Sequence, residues 1–184
     1  QLQIKFSNSI SMGIYGRAVN GVITPAMVEN VVAEMQSIIA ADYPIVRKKE
    51  TIANARKYYQ SQGYTDKVET LKYRKEIVNI YECDGYKSYM YGYMVPSTGY
   101  LTEFELFYYS PGFLVRYPRI EEKGQIPEFS DSPGFLRVLT RAEQWAINCD
   151  SDMIYKMNRK IENKKQVEFV NMCETKHNNQ LCEL

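Results

Sequence analysis

The chain has 184 residues, and 23 lysines and arginines nearly balance 22 aspartates and glutamates, which leaves a formal charge of +1. That balance excludes a uniformly basic protein that binds nucleic acid through overall charge. Hydrophobic residues make up 45% of the chain and charged residues 24%, a composition typical of a globular protein with a core. Sixteen tyrosines stand against one tryptophan, so many of the aromatic rings carry a hydroxyl.

No apolar run approaches the roughly 18 residues of a membrane span, and no secretory leader pattern begins the chain. We therefore expect a cytoplasmic protein without membrane insertion. The chain begins at Gln1, which suggests a piece of a longer protein. Its cysteines lack CxxC spacing, which favours free thiols over disulfides. They are Cys83, Cys149, Cys173 and Cys182.

The first elements alternate between strands and helices. Short apolar runs from Ile4 to Val19, interrupted by glycines, predict one or two strands with a bend. Thr24 and Pro25 predict the start of an amphipathic helix, whose apolar residues recur at three-and-four spacing until Pro44. A short strand follows at Ile45 and Val46.

Two shorter helices and a meander come next. Thr51 is predicted to cap a second helix that ends at Gly63, and Thr65 to cap a third. A β-branched strand is expected at residues 77–81. Turn-forming residues then separate short alternating runs, which predicts an antiparallel meander. The turns are Asp84-Gly85, Pro96-Ser97-Thr98-Gly99 and Ser110-Pro111-Gly112.

The pattern changes near Pro118. Residues 119–134 lack periodicity and contain Gly124, Pro127 and Pro133, which indicates either a linker or a strapped-down loop. Only helical patterns follow, at Phe135–Ile147, Met153–Ile161 and Val167–Leu181. We predict an α+β domain over 1–118, with an antiparallel sheet packed against helices, a linker over 119–134 and a helical region over 135–184.

Charge is uneven along the chain. Residues 43–75 carry a net charge of +6, and residues 76–112 carry −4. Two lobes of opposite sign could orient an anionic partner, but linear charge runs more often lie on solvated faces.

The sequence lacks the motifs of an independent catalyst. The glycine spacing of a phosphate-binding loop occurs once, from Gly16 to Gly21, but Val22 and Ile23 follow in place of Lys and Ser or Thr. This chain alone is therefore not expected to phosphorylate a substrate. Cys173, His177 and Cys182 could hold zinc, although the polar helix end around them favours an ordinary helix face. We predict no metal site and no catalytic residue.

The densest chemistry lies between Tyr86 and Tyr100, where five tyrosines occur. Strand alternation would place Tyr89, Tyr91 and Tyr93 on one face and the methionines Met90 and Met94 on the other. Such a ladder could stack bases or pack a partner domain. Strand preference for tyrosine explains the same pattern without a function.

The segment YGYMVPSTGYLTEFEL resembles a bacterial and protist uridine kinase or nucleoside kinase family. Residues 41–48, 66–68, 71–74 and 112–115, the helix around Trp145 and residues 174–178 resemble that family at the same relative places. In the family, a region similar to threonyl-tRNA synthetase precedes a P-loop kinase. The resemblance implies that the present chain ends just before a kinase domain of the same polypeptide. ATP and Mg would then serve the kinase, and the chain itself would need no cofactor.

The synthetase likeness concerns the second additional domain, an editing hydrolase. Its site uses an HxxxH pair plus a Cys and a His, and this sequence has Met90 and Met94 at the last two positions and no HxxxH. An aspartate of the family becomes Ser88, whereas a lysine persists as Lys67. A glycine and a tyrosine persist as Gly13 and Tyr15. The resemblance thus implies a retained framework without its hydrolytic groups.

The resemblance implies a non-catalytic binding or regulatory module of a uridine-kinase-like protein. Its ligand would be a nucleoside, a nucleotide or a tRNA acceptor end, with cations binding phosphate, tyrosines stacking and hydroxyls donating hydrogen bonds. The alternatives are a residual hydrolase of mischarged tRNA and an architectural module that forms a homo-oligomer. The predicted ligand-binding residues are Tyr15, Lys67, Lys72, Arg74, Tyr91, Tyr93, Ser97 and Thr98, in a cleft lined by Gly13, Ser88, Met90 and Met94.

Overall fold

The computed structural model describes residues 2–74 and 76–183. Within these ranges, seven strands and six α-helices form a mixed fold with two antiparallel sheets, which confirms the predicted α+β class. The elements are β1 (Ile4–Ile10), β2 (Gly13–Ala18), α1 (Pro25–Ala40), β3 (Val46–Thr51), α2 (Ile52–Ser61), α3 (Thr65–Leu71), β4 (Ile77–Cys83), β5 (Tyr86–Tyr89), β6 (Glu105–Tyr109), β7 (Gly112–Arg116), α4 (Pro133–Asn148), α5 (Ile154–Glu162) and α6 (Gln166–Cys182).

Helix α1 begins as the sequence predicts. The Thr24 hydroxyl accepts a hydrogen bond from the Met27 amide at 3.3 Å, and Pro25 fills the first helical position. The helix ends at Ala40, before Pro44, because Asp42 adopts a left-handed φ of 51° and its amide bonds back to Ile39.

Helix α2 is also delimited by the predicted residues. The Thr51 hydroxyl accepts from the Asn54 amide at 3.3 Å, and Gly63, with φ at 77°, follows the C-terminal end. The predicted cap of α3 is wrong. Tyr64 is the cap and makes no side-chain bond there, whereas Thr65 is already helical.

The four-stranded sheet has the order β1-β2-β7-β6. Its two hairpins turn through Ser11–Met12 and through Ser110–Pro111, so the turn predicted at Ser110 is confirmed. Gly112 is required here because a Cβ would lie 2.1 Å from the carbonyl oxygen of Gly16 on the neighbouring strand.

One face of the four-stranded sheet carries a cluster of buried hydrophobic side chains. Ile10, Tyr15 and Leu114 are at most 2% exposed, and Tyr15 lies opposite Leu114 in the register. Burial of such side chains stabilises the fold by about 1.5–3 kcal/mol each. Partly buried residues complete the cluster: Phe107, Tyr109, Phe129 and Leu136.

Part of segment 119–134 is bound to this face of the sheet. The Phe129 ring packs edge-on against Phe107 at 5.3 Å, and the Ser130 amide donates to the Ser11 hydroxyl at 2.8 Å. The Tyr109 hydroxyl donates to Asp131. The sequence left residues 119–134 as either a linker or a strapped-down loop, and these contacts match a strapped-down loop.

The three-stranded sheet has the order β3-β4-β5. Asp84 and Gly85 join β4 to β5 with φ values of 44° and 78°, which confirms the predicted hairpin turn. The turn predicted at 96–99 takes another form. Ser97 bridges to Pro44, and a short 3-10 helix follows at Thr98–Tyr100.

The chain divides into two compact units, each built from two separate stretches. The first contains Gln1–Lys49 and Asn79–Leu139, and the second contains Glu50–Val78 and Thr140–Leu184. This division differs from the predicted boundaries at 118 and 134, because α2 and α3 group with the C-terminal helices. In the second unit, α3 packs against α5, where the Tyr73 hydroxyl donates to Glu162 at 3.1 Å.

Two further findings concern the chain as a whole. No helix in the described ranges is both long and apolar enough to cross a bilayer. All four cysteines are free thiols.

Candidate functional site

The aromatic surface, which we define as Met90, Tyr91, Tyr93 and Met94, lies directly after β5. Strand β5 ends at Tyr89, so the strand alternation predicted through Tyr93 is wrong. Residues 90–97 instead follow an irregular path, which leaves Tyr91 65% and Tyr93 88% exposed. A tyrosine exposed to that extent contributes little to a core.

Specific contacts hold the aromatic surface in place. The Tyr81 hydroxyl, from β4, donates to the Gly92 carbonyl at 2.9 Å. The Tyr91 ring packs edge-on against Tyr89 at 5.1 Å. Groups on β4 and β5 therefore hold the backbone at Gly92 and the Tyr91 ring, although the segment itself is neither helix nor strand.

Arg47, on β3, contacts the aromatic surface. Its guanidinium lies 4.8 Å from the centre of the Tyr93 ring, a cation–π contact. Arg47, Lys48 and Lys49 are all exposed on this strand. Lys48 forms an ion pair with Glu82 at 2.7 Å, and this contact lowers the pKa of the Glu82 carboxyl. In the sequence these cations belong to the positively charged stretch 43–75, and no local motif assigns them to the site.

Thr98 has a structural role that sequence analysis did not find. Its hydroxyl donates to the Ile38 carbonyl at 2.7 Å and accepts from the Tyr43 amide at 2.9 Å. The next amide, of Gly99, donates to Asp42 at 2.9 Å. Thr98 is 5% exposed and joins the 98–100 turn to the end of α1. Ser97 is half-buried beside it, and ligand contacts by either hydroxyl remain a prediction.

Met90 and Met94 occupy the positions that resemblance assigns to hydrolytic Cys and His groups. They are 43% and 40% exposed, and Ser88 lies half-buried on β5. A thioether is a weak acceptor that neither transfers a proton nor activates water at neutral pH. Within residues 2–74 and 76–183, no group of three or more His, Cys, Asp or Glu side chains is arranged to hold a metal ion.

Gly13 and Tyr15 lie on β2 of the four-stranded sheet. A Cβ on Gly13 would stand 2.8 Å from the Val115 carbonyl oxygen, so strand packing requires glycine there. Tyr15 is 2% exposed and packs edge-on against Tyr109 at 6.2 Å. Both residues support the sheet, and their contact with a ligand remains a prediction.

The predicted cations Lys67, Lys72 and Arg74 belong to the second unit. The Lys67 ammonium lies over two rings, 4.9 Å from the centre of Tyr59 and 4.7 Å from that of Tyr64. Desolvation by burial lowers the pKa of Lys67, and the opposing charge of Asp66 raises it less. Lys72 pairs with Glu69 one helical turn away, and Arg74 is exposed.

The first unit also contains a cavity that the sequence did not predict. It lies between α1 and the segment that leads into β6, and its volume is about 500 Å³. Its walls combine apolar side chains with two carboxylates. They are Gln36, Ile39, Ala40, Thr102, Glu103, Phe104, Glu105 and Ile126.

Comparison with known proteins shows a partial similarity to an aminoacyl-tRNA ligase. The chain is 34% identical over 86 residues to a threonine–tRNA ligase from Symbiobacterium thermophilum. The match covers 46% of this chain and 13% of that protein. No family model matches the chain. The similarity supports the expected threonyl-tRNA-synthetase-like region, and it provides no support for a nucleoside kinase.

Proposed function

We propose that this threonyl-tRNA-synthetase-like chain is a non-catalytic binding module, and that its aromatic surface stacks a base of a nucleoside, a nucleotide or a tRNA acceptor end. The observation that carries the proposal is Tyr93, which is 88% exposed yet held under the Arg47 guanidinium. Base stacking on an exposed ring contributes about 1–3 kcal/mol per base. A ring that is already oriented loses less conformational entropy when it binds.

The charges around the aromatic surface support an anionic ligand. Arg47 and Lys49 are exposed on β3, and Lys48 beside them is partly neutralised by Glu82. If a nucleotide stacks its base on Tyr93, its phosphate would lie within reach of the β3 cations Arg47 and Lys49. Nucleotides and RNA ends should therefore bind more tightly than the free nucleoside.

Calorimetric titration tests the ligand class directly. Uridine, UMP, ATP and a tRNA acceptor-stem hairpin are titrated separately into the protein and into Tyr93→Ala. We expect saturable binding by at least one phosphate-bearing ligand, weakened about tenfold or more in the variant. Tyr86→Ala is the matched control, since Tyr86 is 54% exposed at the turn end of β5. Absence of heat from all four ligands at millimolar concentration, or equal weakening by both variants, would refute the proposal.

The proposal includes a larger context, in which the module regulates an ATP- and Mg-dependent uridine or nucleoside kinase domain of the same polypeptide. It rests on the resemblance of segments such as 91–106 and 41–48. The gene sequence downstream of Leu184 tests it, because a GxxxxGK[ST] motif is expected there. A downstream sequence without that motif contradicts the kinase context and leaves the binding proposal standing.

A second candidate function is a residual hydrolase of mischarged tRNA. It is favoured by Lys67, a half-buried lysine whose pKa is lowered, in a chain similar to a threonine–tRNA ligase. A deprotonated amine can act as a general base. Release of serine or threonine from charged tRNA, lost in Lys67→Ala and retained in Lys72→Ala, would establish this activity. No release above the uncatalysed rate would exclude it.

A further inference from the structure

The apolar side of α5 faces solvent. Ile154, Met157 and Ile161 are 69%, 42% and 60% exposed, and their three-and-four spacing places them along one side of the helix. We call these three residues the α5 stripe. An amphipathic helix ordinarily buries its apolar stripe, because exposed apolar area is unfavourable in water.

Other groups of α5 are already engaged within the second unit. Lys156 pairs with Asp152 at 2.7 Å and with Asp150 at 3.3 Å, and Arg159 also pairs with Asp150. These contacts raise the pKa of Lys156 and lower that of Asp150. These ion pairs join α5 to the turn that precedes it, on groups other than the α5 stripe.

Two cations follow the C-terminal end of α5 in the chain. Lys164 and Lys165 are exposed, and within residues 2–74 and 76–183 neither forms an ion pair. Their positions are set by the backbone, because the Lys164 amide bonds to the Ile161 carbonyl at 3.0 Å and the Lys165 amide to Lys160 at 2.8 Å. These two hydrogen bonds close the last turn of α5 and place Lys164 and Lys165 three and four residues after Ile161.

We propose that the α5 stripe docks an amphipathic helix of a partner protein that carries acidic residues at one end of its apolar side. The stripe spans about 10 Å, or two helical turns, which suits the side chains of one facing helix. The carboxylates of such a helix would meet Lys164 and Lys165, which gives the complex a defined direction.

An anionic membrane is the less suitable occupant. Between residues 150 and 165, five cations face three carboxylates, and two of those cations are held by Asp150 and Asp152. Lipid-binding segments normally present clusters of four to eight unpaired Lys or Arg side chains. The remaining charge of α5 lies at one end, which matches a directional protein contact.

Fluorescence anisotropy with two labelled peptides tests the proposal. Both peptides are designed helices with leucines at three-and-four spacing, and they differ only in a terminal cluster of glutamates or of lysines. We expect the glutamate peptide to bind with a Kd in the micromolar range, at least about tenfold tighter than the lysine peptide. Raising the ionic strength should reduce that preference.

Three variants locate the binding. Ile161→Ser should weaken binding of the glutamate peptide about tenfold, and Lys165→Glu should remove its preference over the lysine peptide. Val22→Ser, at a residue 74% exposed in the first unit, is the control and should change neither quantity. Equal binding of both peptides, or equal loss in Val22→Ser, would overturn the proposal. So would binding to phosphatidylserine vesicles without binding to either peptide.

Discussion

Replacing Thr98 by valine separates a structural role from a ligand-binding role. Valine keeps the shape of the side chain but removes the hydroxyl that bonds to the Ile38 carbonyl and the Tyr43 amide. Each hydrogen bond contributes about 0.5–1.5 kcal/mol net, and partners left without a bond add to the loss. We expect Thr98→Val to lower the free energy of unfolding by about 2 kcal/mol.

Thermal unfolding followed by far-UV circular dichroism measures this loss. For a chain of this length, about 1 kcal/mol shifts the Tm by roughly 2–4 °C, so the variant should melt about 4–8 °C lower. Ser97→Ala is the matched control. It removes a neighbouring hydroxyl for which no hydrogen bond is described, and its effect should stay below about 0.5 kcal/mol. An unchanged Tm for Thr98→Val, with weaker binding of nucleotides, would refute the structural role.

Three other predictions address the core, the strapped loop and the helical unit. Leu114→Ala should cost about 2–5 kcal/mol in urea unfolding, because Leu114 is fully buried, and a loss below 1 kcal/mol would contradict its place in the core. The hydrogen bond to Asp131 is the main cause that raises the pKa of Tyr109 to about 12. The protonated Tyr109 hydroxyl donates this bond, so the bond stabilises the folded state fully below pH 10, and the stabilisation is lost as the pH rises towards 12. The difference in the free energy of unfolding between wild type and Tyr109→Phe should therefore shrink over that range. If the difference between wild type and Tyr109→Phe does not change with pH, the Tyr109–Asp131 bond is not the source of the stabilisation. Trp145→Ala should lower the Tm, because the Trp145 ring stacks on Phe169 at 6.4 Å, and an unchanged Tm with loss of a dimer in size-exclusion chromatography would favour the architectural alternative.

The sequence predicted the helix ends and the hairpin turn that depend on hydrogen bonds or backbone angles of nearby residues. Thr24, Thr51 and Gly63 delimit helices through hydrogen bonds to residues within a few positions, so their spacing in the sequence is sufficient. The Asp84-Gly85 turn is similar, because the left-handed conformation of both residues is encoded in the dipeptide itself.

The aromatic surface depended on contacts that the sequence does not display. Alternation predicted a strand through Tyr93, but the segment leaves β5 after Tyr89 and is held by Tyr81. The structural role of Thr98 depends on Ile38 and Tyr43, which lie 60 and 55 residues away in the sequence. Long-range hydrogen bonds of this kind leave no periodic pattern from which they can be predicted.

The interleaved units determine how the protein can be dissected. Because residues 50–78 group with residues 140–184, a cut between α4 and the preceding loop would separate α3 from α5. The Tyr73 hydroxyl would then lose Glu162, and the exposed apolar area would favour aggregation. An expressible version of the first unit therefore needs a short glycine-serine bridge from residue 49 to residue 79. The second unit needs a linker from residue 78 to residue 140, so each unit alone is a two-segment fusion.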